Sequence, residues 1–112
     1  MPIRHILIIR TGALGDVILT LPVIQNLHRA FPGAQIHLLG NPRLLVLAQA
    51  PNVHIHDIDR AQWAPLFAPD AAHSLADFLG RFDLAISYLP DADGVLARHL
   101  RNAGIPEIRT CA

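Results

Sequence analysis

A short, strongly apolar run near the start of the chain most constrains the fold. Residues 3–10 read IRHILIIR, with four consecutive apolar residues, Ile6 to Ile9, at the centre. An unbroken apolar run is typical of a strand covered on both faces of a parallel sheet, because a half-exposed strand alternates apolar and polar residues. The run is much shorter than the roughly 20 residues that a membrane-spanning helix needs. It therefore predicts a buried strand.

Strand-like and helix-like segments alternate along the rest of the chain. Further strands are predicted at 35–39, 53–58, 83–89 and 107–111, and helices at 16–31, 42–50, 71–82 and 95–103. Pro22 is expected to kink or divide the first helix. Residues 60–70, with two prolines, are expected to form an irregular loop that can include one helical turn. With right-handed crossovers, this alternation predicts an α/β fold, a Rossmann-like doubly wound parallel sheet in the order 3-2-1-4-5.

The composition excludes several classes of function. The formal net charge is zero, so the basic surface of a nucleic-acid-binding protein is not expected. All nine cationic residues are Arg, which excludes a Lys-dependent phosphate loop and Schiff-base chemistry. A single cysteine, Cys111, excludes an internal disulfide and a Cys-rich zinc site.

The candidate site lies at the carboxyl ends of the first and fourth strands, where the strand order reverses and ligands bind in open α/β sheets. The loops at 11–16 and 90–94 meet there. Gly12 and Gly15 allow a tight turn and close backbone approach to a ligand, and the following helix start supplies free N–H groups. Asp16 can cap that helix, face a substrate, or do both. The candidate residues are Arg10, Thr11, Gly12, Ala13, Gly15, Asp16, Asp91 and Asp93.

A dinucleotide cofactor is not predicted. Dinucleotide binding needs G-x-G-x-x-G after the first strand and an acidic residue at the end of the second. The loop here has Gly12 and Gly15 but no third glycine, and the second strand ends at Gly40-Asn41 without an acid. We therefore expect neither NAD nor FAD, and no other cofactor.

Histidines and aromatic residues give weaker signals. His54 and His56 share a strand face with a spacing that can hold zinc, but alternation with inward-facing Val53 and Ile55 explains the pattern, so no metal site is predicted. Trp63 and Phe67 either fill the core or stack on a bound ligand, and the core interpretation is favoured. Arg10 either neutralises a bound ligand or pairs with Asp16.

The first strand, loop and helix together resemble a known family. The matching features are Arg10 at the strand end, G-A-L-G-D at 12–16, T-L-P at 20–22 and R-A-F-P at 29–32. They are similar to the start of glycosyltransferase family 9, the ADP-heptose:lipopolysaccharide heptosyltransferases. Weaker similarity continues through FDLAIS and LARHLRNAGI, so it spans the whole chain.

The resemblance implies a GT-B enzyme with two Rossmann-like domains. Residues 1–112 would be most of the N-terminal, acceptor-side domain, and the absent C-terminal domain would bind the nucleotide-sugar donor. The implied reaction is inverting, metal-independent transfer of a sugar such as heptose to a cell-envelope glycan such as lipopolysaccharide core. Asp16 would be the general base, and the isolated fragment would be inactive. The implied location is cytoplasmic, with peripheral association with the inner face of the bacterial inner membrane left open.

A second interpretation comes from a different class. The same loop, residues 11–16, could serve a non-enzymatic α/β module that binds a small anion or a protein partner. The two interpretations make different demands on Asp16. Only the transferase interpretation requires its carboxylate to take a proton from a sugar hydroxyl.

Overall fold

A five-stranded parallel sheet forms the centre of the protein in the computed structural model, which describes residues 2–68 and 75–111. The strand order is β3-β2-β1-β4-β5, and each neighbouring pair is parallel. The strands are β1 His5–Arg10, β2 Gln35–Gly40, β3 Val53–Asp57, β4 Leu84–Ser87 and β5 Glu107–Thr110. The predicted fold class and strand order are confirmed.

The helices differ from the prediction mainly in their limits. They are α1 Leu14–Ala30, α2 Pro42–Leu45, α3 Ala76–Leu79 and α4 Val95–Asn102, with 3₁₀ segments at Val46–Ala48 and Ala61–Phe67. The first helix begins two residues earlier than predicted, because Asp16 lies inside its first turn. It continues through Pro22 to Ala30, so Pro22 does not divide it. Part of the predicted helix 71–82 lies outside the described residues.

The second helix is much shorter than predicted. Asn41 caps it, since the Asn41 side chain accepts a hydrogen bond from the Arg43 N–H, and Pro42 occupies the first turn. The segment then tightens into the 3₁₀ turn Val46–Ala48. Val46 and Leu47 are exposed, so the core face of residues 42–50 consists of the buried Leu45 and Ala48, with Leu44 and Ala50 partly buried beside them.

Two apolar layers explain the unbroken apolar run in β1. Ile6 and Ile8 belong to the layer that contains Val17 and Ile24 of α1. Leu7 and Ile9 belong to the opposite layer, with Leu100 of α4. Because β1 is central in the sheet, all four of its apolar side chains are fully buried. No helix in the described part of the chain has the length and apolarity to span a bilayer.

Candidate functional site

Asp16 lies in the first turn of α1, at the carboxyl end of β1. Ala13 is the residue that precedes the helix, and its backbone N–H donates to Asp16 Oδ2 at 3.0 Å. The Asp16 side chain is nevertheless 48% exposed. Asp16 therefore binds the N–H of the residue before the helix and still presents carboxylate surface to solvent. Its two suggested roles, stabilising the helix start and facing a substrate, are thus compatible.

Arg10, the last residue of β1, holds Asp16 from the other side. Its Nη2 lies 3.1 Å from Asp16 Oδ1, and its Nε donates to the Asp16 backbone carbonyl at 3.2 Å. The Arg10 side chain is only 15% exposed. Of the two roles suggested for Arg10, the structure shows the ion pair with Asp16. This double contact restricts the orientation of the carboxylate.

Tyr88 completes this cluster and was missed by the sequence reasoning. The Arg10 guanidinium lies 4.6 Å from the centre of the Tyr88 ring, in cation–π geometry. Burial raises the pKa of the half-buried Tyr88 above its ordinary value, nearby Cys111 adds to this rise, and the Arg10 charge opposes it. β1 pairs with β4 so that Ile9 lies beside Ser87, which makes Arg10 and Tyr88 neighbours. The predicted strand order put β1 next to β4 but did not give this register.

The backbone and its surroundings require glycine at one of the two glycine positions of this loop but not at the other. Gly12 has φ +102°, and a Cβ there would also overlap Asp16 Oδ2. Gly15 has no atom near the position of an added Cβ. Packing within the chain thus requires glycine at 12 but not at 15. The space beside Gly15 is open to a ligand. Thr11 is half-buried, and Ala13 is exposed.

Asp91 caps α4 from the loop after β4. Its Oδ1 accepts the Leu96 N–H at 3.1 Å, and its Oδ2 accepts the Ala97 N–H at 2.9 Å. Asp93, two residues on, is exposed. The structure thus gives Asp91 a structural role, while substrate binding by Asp91 or Asp93 stays a prediction.

A cavity of about 260 Å³ lies between this loop and the 3₁₀ segment Ala61–Phe67. Its lining includes Phe67 and residues 89–93 but neither Arg10 nor Asp16. Phe67 is 42% exposed, so the core interpretation was wrong for it, whereas Trp63 is buried as predicted. The 3₁₀ segment directs Trp63 and Leu66 into the core, which leaves the adjacent Phe67 facing outward.

The histidines of β2 and β3 form a packed cluster. His37 Nδ1 lies 2.8 Å from His56 Nε2, and the His37 ring stacks on those of His54 and His56. Burial, followed by the charges of neighbouring groups, lowers the pKa of His37 to about 4, and burial also lowers the pKa of His56.

The cluster differs from the predicted outward alternation. His54 is exposed, but His56 is half-buried, with its ring edge against Trp63. Within residues 2–68 and 75–111, no group of three or more His, Cys, Asp or Glu side chains is arranged to hold a metal ion.

Comparisons with known proteins support the fold. No family model and no curated protein matches the sequence. A family 9 glycosyl transferase from Veillonella parvula is similar in structure, with a TM-score of 0.61 and 21% identity over 96% of this chain and 32% of that one. MurG from Acinetobacter baumannii gives a TM-score of 0.59 and 23% identity over 96% of this chain and 35% of that one.

The same fold also occurs in an enzyme of a different class. Shikimate dehydrogenase from Thermotoga maritima gives a TM-score of 0.53 and 14% identity, over 99% of this chain and 46% of that one. This chain spans about a third of the length of the two glycosyltransferase structures and under half of the dehydrogenase. At these identities the likeness shows a shared Rossmann-like fold, and function has to be argued from the site.

Proposed function

We propose that this chain is the acceptor-side domain of an inverting, metal-independent glycosyltransferase, with Asp16 as general base. One observation carries the proposal. A half-exposed carboxylate stands at the carboxyl end of the central strand, held in one orientation by the Ala13 N–H and by Arg10. Parallel α/β sheets bind ligands at this edge, where the strand order reverses between β1 and β4.

The arrangement suits proton abstraction from an acceptor hydroxyl. In the proposed step, the hydroxyl oxygen forms a bond to the anomeric carbon of the donor. The bond from that carbon to the nucleotide phosphate oxygen breaks, and the hydroxyl proton passes to Asp16. A carboxylate oxygen that already accepts one hydrogen bond still has a lone pair for a second donor. Restricted orientation favours the reaction because a base must lie within hydrogen-bond distance of the proton it removes.

The open space beside Gly15 supports the same proposal. No atom of the chain lies near the position of a Gly15 Cβ, although the residue is one position before Asp16 in the first turn of α1. A sugar ring can therefore approach the backbone next to the carboxylate. Thr11, Gly12 and Ala13 would form the rest of the surface that the acceptor meets.

Neither competing interpretation fits this geometry as well. An NAD-dependent enzyme needs the third glycine and the acidic residue that the β1–α1 loop and the end of β2 lack. A small anion would use the Ala13 N–H and Arg10, but the Ala13 N–H already donates to the Asp16 carboxylate, which also pairs with Arg10. Asp16 would also repel an anion at this position.

The partners follow from the reaction. The acceptor would be a cell-envelope glycan such as lipopolysaccharide core, and the transferred sugar would be one such as heptose. The nucleotide-sugar donor would bind to a second domain. We place the enzyme in the cytoplasm, at or near the inner face of the bacterial inner membrane. The exposed apolar side chains of Leu14, Ile18 and Leu19 on α1 support contact with such a surface.

The proposal is tested by replacing Asp16→Asn in this domain joined to a donor-binding domain, with nucleoside diphosphate release as the readout. The amide oxygen of the introduced side chain can still accept the Ala13 N–H, so the fold should persist. Loss of the base should lower kcat about 10²- to 10⁴-fold. Asp59→Asn is the matched control, because Asp59 is also exposed and follows β3 at the same edge of the sheet.

Unchanged transfer by the Asp16→Asn variant would contradict the catalytic role. A sulfate titration tests the anion-binding alternative separately. If the loop binds anions, Asp16→Asn should strengthen sulfate binding, because a negative charge has been removed from the site. The transferase proposal expects little sulfate binding by the unaltered chain.

A further inference from the structure

We infer that the cavity between Phe67 and the loop after β4 binds an unphosphorylated sugar ring of the acceptor and disfavours a phosphorylated one. This inference rests on the proposed function, since it takes the acceptor to be a glycan. The cavity, of about 260 Å³, has room for about one sugar ring. It opens on the loop that follows β4, the strand next to β1 in the sheet.

The walls of the cavity suit the apolar face of a sugar. Phe67 presents a large aromatic side chain that is 42% exposed, and Leu89, Val95 and Leu96 add aliphatic surface. The C–H face of a pyranose ring is flat and apolar, so it can cover Phe67 and remove that surface from water. The exposed Phe67 side chain beside the cavity therefore supports a sugar subsite here.

Both sides of the cavity are held in place. On the Phe67 side, His99 Nε2 of α4 lies 2.6 Å from the Ala68 carbonyl oxygen, which ties the end of the 3₁₀ segment to the helix. On the loop side, Asp91 is fixed by its two hydrogen bonds to α4. Little ordering is therefore needed on binding, which favours affinity.

The charges at the cavity oppose a phosphate. The first N–H groups of a helix ordinarily attract anions, but those of Leu96 and Ala97 are already bound by the Asp91 carboxylate. Asp93 lines the cavity and is exposed, so its carboxylate can accept hydrogen bonds from sugar hydroxyls. Both aspartates repel a phosphate group, whereas a neutral sugar meets an apolar wall and a hydroxyl acceptor.

The test is a titration of the ¹⁵N-labelled 112-residue chain with methyl β-D-glucopyranoside and, separately, with glucose 6-phosphate. The neutral glycoside should shift the amide signals of Phe67 and Asp93. Glucose 6-phosphate should bind the same residues about 5-fold more weakly or worse, from repulsion by nearby carboxylates. Asp93→Asn should narrow this difference, because it removes one of the two charges.

Variants at Phe67 provide the controls. Phe67→Ala should weaken glycoside binding about 3- to 10-fold, because it removes the apolar wall, while Phe67→Tyr should retain it. Leu47→Ala is the matched control, since Leu47 is an exposed apolar residue outside the cavity lining. The amide spectrum of each variant reports whether the fold is kept.

Three results would overturn the inference. They are equal binding of the two sugars, an unchanged affinity in Phe67→Ala, and the absence of shifts at Phe67 and Asp93 with either sugar. Shifts confined to Gly15 and Asp16 would place the acceptor in the first loop alone. They would remove this subsite and leave the proposed function intact, which the Asp16→Asn transfer assay tests independently.

Discussion

The aspartates in the two loops where the strand order reverses have different hydrogen-bond partners. After β1, Asp16 accepts one backbone N–H, pairs with Arg10 and remains half exposed. After β4, each of the two Asp91 carboxylate oxygens accepts a hydrogen bond from a backbone N–H at the start of α4. Each carboxylate thus holds two donors, and the difference lies in their kind: a backbone N–H and an arginine side chain in the first loop, and two backbone N–H groups of a helix start in the second.

The difference teaches that a carboxylate's position in a fold does not by itself indicate its role. What matters is which donors its oxygens hold: Asp16 pairs with the side chain of Arg10, whereas both donors of Asp91 belong to the backbone of α4. Asp16 is held firmly enough to be oriented but keeps exposed oxygen surface, which is the combination that a general base needs.

Among the variants considered, Gly12→Ala should destabilise the protein most, because it alters the first loop directly. The substitution forces a side chain into a backbone with φ +102° and pushes its Cβ against the Asp16 carboxylate. We expect a loss of about 2–3 kcal/mol in the free energy of unfolding, together with displacement of Asp16. Urea denaturation measures the loss. Stability equal to the unaltered chain would show that the loop does not depend on this glycine.

The contrast between the two aspartates is tested by truncating each. Asp91→Ala should lower the free energy of unfolding by about 2 kcal/mol, because two N–H groups of α4 lose a charged acceptor. Asp16→Ala should cost about 1 kcal/mol, since it removes one such bond and a partly exposed ion pair. Asp93→Ala, in the same loop as Asp91, is the control and should stay within about 0.5 kcal/mol. Equal losses for Asp16 and Asp91 would contradict the division of roles.

The histidine cluster of β2 and β3 should make the fold less stable in acid. Unfolded His37 takes up a proton near pH 6.5, but folding lowers its pKa to about 4. Since the unfolded state binds more protons between these values, stability should fall as the pH drops from about 6.5 to 4. We expect a loss on the order of 1 kcal/mol for this partly screened group. Urea midpoints at about pH 7 and pH 4.5 measure it.

His37→Gln is the matching variant for this pH dependence. It keeps a polar side chain but removes the titrating group, so its stability should vary less between the two pH values. His56 shifts in the same direction and should leave a residual effect. If the variant and the unaltered chain lose the same stability between these pH values, the loss arises from groups other than His37.

The smallest expected change in stability comes from Gly15→Ala, which should behave differently from Gly12→Ala in the same loop. Gly15→Ala places a methyl group in open space within the first turn of α1. It should raise the free energy of unfolding by about 0.5 kcal/mol, because alanine favours the helix over glycine. In the transfer assay the same variant should lose activity, since the methyl group occupies the proposed acceptor space. A stable variant with full activity would argue against an acceptor at this position.

The fold could be predicted well from the sequence because its signals are local and repeated. An unbroken apolar run, glycines and prolines at segment ends, and alternation of segments sufficed for the strand order. The limits of α1 and α2 could not be predicted as well. The helix start at Leu14 and the 3₁₀ turn after Leu45 depend on which backbone hydrogen bonds form, and several adjacent choices suit the same residues.

The candidate site was only partly predictable. Arg10 and Asp16 were found because they flank a glycine loop after the first strand. Tyr88 was missed because it joins Arg10 only through the pairing of β1 with β4. Phe67 was misplaced because the sequence offers no sign that a 3₁₀ segment would bury Trp63 and expose the aromatic residue four positions later.

The sequence alone determined the order of strands and helices and the edge of the sheet where a ligand would meet the chain, because hydrophobic periodicity and turn residues act over short distances. The packing of separate segments fixed which donors hold each carboxylate and which aromatic side chain faces the cavity. It also brought the Arg10 guanidinium over the Tyr88 ring. These outcomes depend on partners and solvent exposure that arise when separate segments pack together, and no local pattern encodes them.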